Sequence, residues 1–387
     1  MSESEEDEDS SSSSSDSRDS EGFGYYRNFL KGDDGDGEDD GFYCLRRGSA
    51  SAELAILHAA CVGDRIHVAA FGGDAERMRP ILAMGEPVDH VTIDGLTPLW
   101  LAVARSGVRD GMLPMIEALL ESGADAGQLT EHPGMAPLHM ATRAPVVRAL
   151  LAHGADPNAR CLREGAESAT PLHVACRRAD ADAVAALLED PRTDVNATMA
   201  DGSTRPLHVA CQAGRADVVG VLLKRAELEL DAVDGLMDTA LYIACCKGCD
   251  DAVVALAEAG ADPNVPLTRR GGGTPMHAAC NKCGPRAVRA LMAHGADFRA
   301  ADGDARTPLH VATYYGRAGT VRLLLSAGAD CDARDADGET PLMLARRMHH
   351  RKIMTAMEKK NKKRGPARRE GEIPEKKKKK KKKKRKA

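Results

Sequence analysis

Aromatic side chains are scarce in this chain. Only 3% of its 387 residues are Phe, Tyr or Trp, and Trp occurs once. A core must therefore be built mainly from Ala, Leu and Val, a composition that suits closely stacked helices. The chain also lacks any apolar run approaching the roughly 18–20 residues that a membrane-spanning helix needs. We expect no membrane association, and the acidic, Ser-rich N-terminus indicates no secretory signal.

Sequence motifs of catalysis are missing as well. The chain contains no Walker A loop, no G-x-S-x-G elbow, no H-E-x-x-H helix and no kinase signature. The run Gly271–Gly273 directly precedes Thr274 and is typical of a permissive turn rather than of a phosphate-binding loop. We therefore predict a protein that is not an enzyme and that uses no cofactor.

A short motif of the form T-P-L-H-x-A recurs nine times at steps of 33 to 39 residues. Self-similarity at this period is the signature of a solenoid, in which each unit packs only on its neighbours. Within a unit, Pro at the first helical turn, Thr as N-cap and a closing Gly predict two helices. Asp-Gly pairs predict a hairpin loop between units. The Thr slot of the nine copies is occupied by Asp64, Thr97, Ala136, Thr170, Arg205, Thr239, Thr274, Thr307 and Thr340.

Two units differ in length from the others. The second carries five extra residues around Gly107–Gly111, and the third lacks three near Ala144 and Pro145. We expect both changes to fall between the two helices of the unit, where loop length costs little.

The units resemble ankyrin repeats over residues 64–361. TPLHVAC at Thr170–Cys176 and GADPN at Gly154–Asn158 are close to the consensus of that family. The resemblance implies an all-α repeat solenoid of about nine helix-turn-helix units joined by β-hairpin loops, which acts by binding other proteins. We predict the repeat domain over residues 49–361, between disordered charged tails.

The two tails have opposite charge. Residues 1–48, an acidic Ser-rich tail with aromatic islands, carry 15 acidic against 5 basic side chains. Residues 362–387 contain the run Lys376–Lys384 and are predicted to be a disordered Lys-rich tail. That tail suggests either a nuclear localisation signal or non-specific, salt-dependent nucleic-acid binding. The alternative is a tail of biased composition with no specific role. The acidic segment Phe23–Tyr43 is a candidate either to fold back on the repeats as an autoinhibitory strand or to act as a free docking motif. A competing possibility is that the acidic tail pairs with the basic tail.

Histidine and cysteine recur at fixed slots of the motif, which favours structural roles. Six His stand in the fourth slot, and the resemblance implies that each fixes a neighbouring hairpin. Eleven Cys, an odd number, are expected to be reduced thiols of a cytosolic or nuclear protein. The pairs Cys246–Cys249 and Cys280–Cys283 have the spacing of zinc ligands. Cys245 and Cys280 nevertheless share a slot with other Cys, which favours small core residues over a metal site.

Where the units differ from one another, they indicate a partner-binding surface. The resemblance implies binding through the hairpin tips and the exposed end of each first helix, on the concave face. These positions are basic and include an aromatic pair, which suits an acidic or extended peptide of a protein partner. The alternative is an ordinary solvated face. The predicted residues are Arg105, Arg143, Arg177, Arg178, Gln212, Lys247, Asn281, Lys282, Tyr314 and Tyr315.

Three functions remain open on this basis. The first is a monomeric scaffold or adaptor of the cytoplasm or nucleus that binds a protein partner. The second is a nucleic-acid-associated or nuclear regulatory protein that uses the Lys-rich tail. The third is a substrate receptor of a ubiquitin ligase, for which no convincing SOCS box follows the last repeat.

Overall fold

A computed structural model describes residues 65–364, except for 93–94, 108, 110, 131–133, 162–167 and 266–270. The acidic tail, the first residues of the predicted repeat domain (49–64) and nearly all of the Lys-rich tail lie outside these residues. The final helix runs to Arg364, slightly past the boundary predicted at residue 361.

The described residues form nine helix pairs, which we number repeats 1 to 9, and no strand longer than an isolated bridge. None of the helices in the described ranges is long and apolar enough to cross a membrane. The helices are Arg65–Gly72 and Ala75–Ala83, Pro98–Ser106 and Leu113–Glu121, Pro137–Met140 and Ala144–Ala152, Pro171–Arg178 and Ala181–Glu189, Pro206–Ala213 and Ala216–Leu222, Ala240–Lys247 and Asp250–Glu258, Pro275–Lys282 and Pro285–Ala293, Pro308–Tyr314 and Ala318–Ala327, and Pro341–Arg347 and Arg351–Arg364.

The repeats stack in chain order. The first helix of each repeat contacts the first helix of the next, and second helices do the same. Equivalent slots of consecutive repeats are therefore neighbours in space. The core between the two layers consists mostly of Ala, Leu and Val, as the shortage of aromatics predicts. Four consecutive repeats place a fully buried thiol at one slot, and these residues are Cys176, Cys211, Cys245 and Cys280.

The ends of the first helices follow from local sequence. Pro occupies the first helical turn in seven repeats, where its missing N–H costs nothing. Gly214 and Gly248 end two of the helices in the left-handed conformation. Ala179 holds the same conformation, with a φ of 60°, at the end of the first helix of repeat 4.

The hairpin loops between repeats are closed by backbone hydrogen bonds. In the loop before repeat 8, the N–H of Asp302 donates to the carbonyl of Arg306 over 2.9 Å. The carboxylate of Asp302 also accepts the N–H groups of Asp304 and Arg306, at 3.0 and 2.8 Å. An Asp side chain that bonds its own turn in this way organises the loop without neighbouring strands.

Repeat 3 corrects one expectation. In repeat 2 the five extra residues do lie between the helices, which end at Ser106 and resume at Leu113. In repeat 3, however, the deletion shortens the first helix itself to the single turn Pro137–Met140. The second helix, Ala144–Ala152, keeps the nine residues that the second helix of repeat 4 has, with Pro145 in its first turn. The missing residues therefore come from the first helix.

A candidate partner-binding surface

The ten predicted surface residues lie where the first helices end. Most occupy the last turn of a first helix, seven or eight residues after the Thr slot. Arg143 instead precedes the second helix of repeat 3, because the first helix there is so short. Since consecutive first helices are in contact, these ends form one row along repeats 2 to 8, which we call the helix-end row.

Neighbouring members of the helix-end row lie close together. A Cβ atom added to Gly248, which follows Lys247, would lie 3.1 Å from the carbonyl oxygen of Lys282 in the next repeat. Lys247 and Lys282 are both exposed. The helix ends of repeats 6 and 7 therefore present two amines side by side. Arg143, Arg177 and Gln212 are also exposed, so five of the ten residues are accessible.

The charge of the row has one sign. No Asp or Glu occupies its two slots in any of the nine repeats, whereas Arg or Lys does so in six. The first helices end here, and their partial negative charge favours cations at the last turn. A row of exposed cations on a rigid surface attracts an acidic ligand and speeds its association.

The tyrosine pair lies in repeat 8, at one end of the helix-end row. The rings of Tyr314 and Tyr315 meet edge to face, with centroids 5.0 Å apart and planes at 82°. Both side chains are half-buried. The carbonyl of Tyr314 accepts a hydrogen bond from Nε2 of His350, 3.3 Å away in repeat 9. The pair thus offers a fixed aromatic surface, of the kind that anchors protein interfaces.

Arg178 has a role inside the stack. Its guanidinium donates to the carbonyl of His139 over 3.0 Å and contacts the sulfur of Met140 at 3.4 Å. These residues belong to the shortened helix of repeat 3, whose carbonyls lack the partners that another turn would supply. Burial lowers the pKa of the Arg178 guanidinium. Arg178 therefore caps the neighbouring repeat, and only Arg177 of this pair is exposed.

Arg105 also packs against a neighbouring repeat. Its guanidinium carbon lies 4.1 Å from the centre of the Phe71 ring in repeat 1, a cation–π contact. Phe71 was not among the predicted residues, although it occupies in repeat 1 the same slot that members of the helix-end row occupy in later repeats. Asn281 is half-buried, and its backbone carbonyl accepts a bond from Arg317 over 2.8 Å.

The histidines of the motif link each repeat to the next. In five repeats Nδ1 accepts the backbone N–H of the residue in the Thr slot, at 3.1–3.3 Å. Nε2 therefore carries the proton and donates to a carbonyl of the following hairpin. The structural role predicted for the motif histidines is confirmed in these five repeats. The carbonyl pairs, at 2.9–3.3 Å, are His139 with Ala169, His173 with Thr204, His208 with Ala232, His277 with Arg306, and His310 with Glu339.

Two aromatic residues replace this histidine and change the bonding. Trp100 and Tyr242 are both buried in the histidine slot. In their repeats the hydroxyls of Thr97 and Thr239 accept the backbone N–H of the Trp and Tyr, at 3.1 and 3.2 Å. In repeats without an imidazole at this slot, the Thr hydroxyl therefore acts as an ordinary N-cap.

Comparison with known families agrees with this architecture. The family model described as ankyrin repeats (3 copies) matches in overlapping windows at residues 66–161, 106–199, 146–234, 172–266, 241–335 and 275–364. Together these windows cover well over half of the chain. It belongs to the ankyrin-repeat family.

Individual relatives match only in part. The Neurogenic locus Notch protein of Drosophila melanogaster is 32% identical over an alignment of 123 residues, and the match covers 28% of this chain and 4% of that protein. The chain thus spans a small fraction of that relative. The crystal structure of the human ASB11 ankyrin repeat domain aligns with a TM-score of 0.49 and 26% identity, over 60% of this chain and 98% of the other.

Membership of the family supports the general expectation of a binding protein. Ankyrin repeats are generally protein–protein interaction modules, and their domains are typically non-enzymatic. Function within this family depends on surface residues that differ between repeats, because the scaffold residues are shared.

The cysteine pairs belong to the ankyrin scaffold. The thiol of Cys249 donates to the carbonyl of Gly214 over 3.1 Å, and that of Cys283 to the carbonyl of Cys245 over 3.5 Å. Both contacts join consecutive repeats. Burial raises the pKa of the Cys280 thiol, which disfavours the thiolate that a metal requires. Within the described ranges, no three His, Cys, Asp or Glu residues are grouped so as to hold a metal ion.

Proposed function

We propose that this chain is a non-enzymatic adaptor whose helix-end row binds an acidic, extended segment of a partner protein. The single-sign charge of the row carries the proposal. Arg143, Arg177, Lys247 and Lys282 are exposed, and no carboxylate shares their slots. An extended ligand suits this surface because the cations are distributed over successive repeats rather than gathered in one pocket.

The tyrosine pair adds an anchor at one end of the row. Tyr314 and Tyr315 are half-buried and held edge to face, so little rotamer freedom is lost when a ligand packs on them. Tyr and Arg are enriched among the residues that carry most of the energy of protein interfaces. We therefore expect the ligand to combine acidic residues with an apolar side chain that reaches repeat 8.

Charge reversal tests this function. The variant Lys247→Glu with Lys282→Glu changes two exposed residues in adjacent repeats and leaves the core intact. A labelled peptide that copies residues 20–45, which combine acidic and aromatic side chains, serves as the probe in fluorescence anisotropy. We expect the affinity to fall about tenfold or more and the salt dependence to weaken.

A matched variant controls for net charge. Lys224→Glu with Arg289→Glu makes the same change in charge at two exposed residues outside the row. Equal losses in the two variants would contradict a specific site. No saturable binding to the wild-type chain, or binding unaffected by Lys247→Glu with Lys282→Glu, would contradict the proposal itself.

The basic C-terminus supports a second proposal, on location. Lys376–Lys384 followed by Arg385 and Lys386 form an unbroken cationic run. Runs of this kind act as nuclear localisation signals or bind nucleic acid. A fluorescent fusion that loses nuclear accumulation when the run is replaced by Ser and Gly would support the signal. Unchanged distribution would refute it.

A further inference from the structure

Two adjacent apolar side chains are exposed in the interior of the stack. Among the described residues with large exposed apolar side chains, Val68, Met84, Val91 and Met343 lie in or beside the terminal repeats. The other two are neighbours, Leu236 and Met237, which are 38% and 46% exposed. They occupy the tip of the hairpin before repeat 6, which we call the Leu236–Met237 tip.

The backbone at this tip is one that glycine would prefer. Met237 has a φ of 64°, in the left-handed region that most side chains avoid. The equivalent hairpins before repeats 2 and 9 place Gly95 and Gly338 there, with φ of 70° and 75°. A methionine at this slot is unfavourable for folding, and its exposed side chain gains little burial in return.

Hydrogen bonds to Asp234 nonetheless fix the conformation of the tip. The buried carboxylate of Asp234 accepts the N–H groups of Leu236 and Asp238, at 2.8 and 2.9 Å. The N–H of Met237 donates to the carbonyl of Asp234 over 2.9 Å. These bonds organise the turn before any ligand arrives, so the two side chains are presented at low entropic cost.

Exposed carboxylates lie on one side of the tip, toward the preceding hairpin. The hairpin segments 199–204 and 231–238 contain four Asp, of which Asp201 and Asp231 are exposed whereas Asp234 and Asp238 are buried. A Cβ atom added to Gly235 would lie 3.2 Å from a carboxylate oxygen of Asp201, so the two hairpins touch at this point. Burial opposes ionisation of Asp201, but hydrogen bonds from Thr204 and Ser203 lower its pKa to about 2.

We infer that the Leu236–Met237 tip is a docking point for a short segment of a partner protein in which a large apolar side chain is flanked by basic residues. Leu236 and Met237 supply the apolar contact, for which the flexible thioether of methionine is well suited. The exposed carboxylates of Asp201 and Asp231 favour cations beside it. This surface differs from the helix-end row and has the opposite charge preference, so it stands independently of the proposed function.

Peptide selection tests the inference on the full chain. Random peptides displayed on phage are selected on the immobilised protein, and enriched sequences are resynthesised with a fluorescent label. We expect a group of binders with Leu, Phe or Met next to Lys or Arg. Their affinity should fall about tenfold or more in Leu236→Ser and in Met237→Gly.

Two substitutions separate binding from folding. Met237→Gly places the residue that the left-handed φ favours, so the urea midpoint should stay equal or rise while binding is lost. Ala305→Gly is the matched control. Ala305 occupies the same slot before repeat 8, with a φ of 56°. This control should also keep or raise the midpoint, and it should leave peptide binding unchanged.

Three results would overturn the inference. The first is a selection that yields no apolar-basic peptides. The second is binding that survives both Leu236→Ser and Met237→Gly in folded protein. The third is a set of binders that depends only on Lys247 and Lys282, which would support the helix-end row and leave the Leu236–Met237 tip without a ligand.

Discussion

Acidification should destabilise the repeat stack through its buried histidines. In five repeats the motif imidazole is neutral, with Nδ1 accepting a backbone N–H and Nε2 donating to the next hairpin. A proton added to Nδ1 would remove that acceptor and place a charge in the core. Burial accordingly lowers the pKa of both His139 and His173 from 6.5 to about 4. Burial also lowers the pKa of the three other histidines that bond to a following hairpin, which are His208, His277 and His310.

The sign and size of the effect follow from these values. An unfolded chain binds protons at its histidines below about pH 6.5, whereas the folded chain does so only near pH 4. The contribution of these histidines to the free energy of unfolding is therefore complete above about pH 6.5 and is lost as the pH falls toward 4. At about 1.4 kcal/mol per pKa unit, the lowered pKa of His139 and that of His173 should each reduce the free energy of unfolding by about 2 kcal/mol at about pH 5. Together they lower the free energy of unfolding by about 4 kcal/mol.

Urea unfolding followed by far-UV circular dichroism measures this loss. We expect a clearly lower midpoint at about pH 5 than at about pH 7.5, with full recovery on returning to the higher pH. His173→Gln should be less stable than wild type at the higher pH but should lose about 2 kcal/mol less on acidification. His294→Gln, which changes an exposed histidine, is the control. A pH dependence left intact by His173→Gln would refute the reasoning.

Two further predictions concern contacts between repeats. Arg178→Ala should lower the free energy of unfolding by about 1–3 kcal/mol, because the carbonyl of His139 loses its donor. Arg177→Ala, which changes the exposed neighbouring residue, should alter the free energy of unfolding by less than about 0.5 kcal/mol. Asn196→Ala should also cost about 1–3 kcal/mol, since its amide donates to Glu227 over 2.7 Å and accepts from Glu229 over 2.9 Å. Asn196→Asp, which retains only the acceptor, should be intermediate. Chemical denaturation at neutral pH checks all four, and equal values within either pair would contradict the assigned contacts.

Local pattern was sufficient to predict the scaffold. Pro308 and Thr307 predict the start of a first helix, and Gly328 predicts the end of a second helix, because their preferences act within one turn of the chain. The slot of Cys280 predicts a buried position, and the structure confirms it. The number of repeats follows from the period of the motif alone.

The predicted surface was less reliable because exposure depends on the neighbouring repeat. Arg177 and Arg178 are consecutive basic residues in the same last turn, yet only Arg177 is exposed. Arg178 turns inward because repeat 3, more than thirty residues earlier in the chain, lacks a turn of helix. Nothing in the local sequence of repeat 4 carries that information.

Sequence by itself therefore determined the class of fold, the register of its nine units and the recurring motif residues, such as the histidines, that join one unit to the next. These features depend on short-range preferences that recur with each copy of the motif. Tertiary structure alone decided which of the varied residues are available to a partner. It turned Arg178 toward the carbonyl of His139 in repeat 3, stacked Arg105 on Phe71, and left Leu236 and Met237 exposed on a hairpin fixed by Asp234. Accessibility is settled by contacts between residues far apart in the chain, and such contacts exist only once the repeats have stacked.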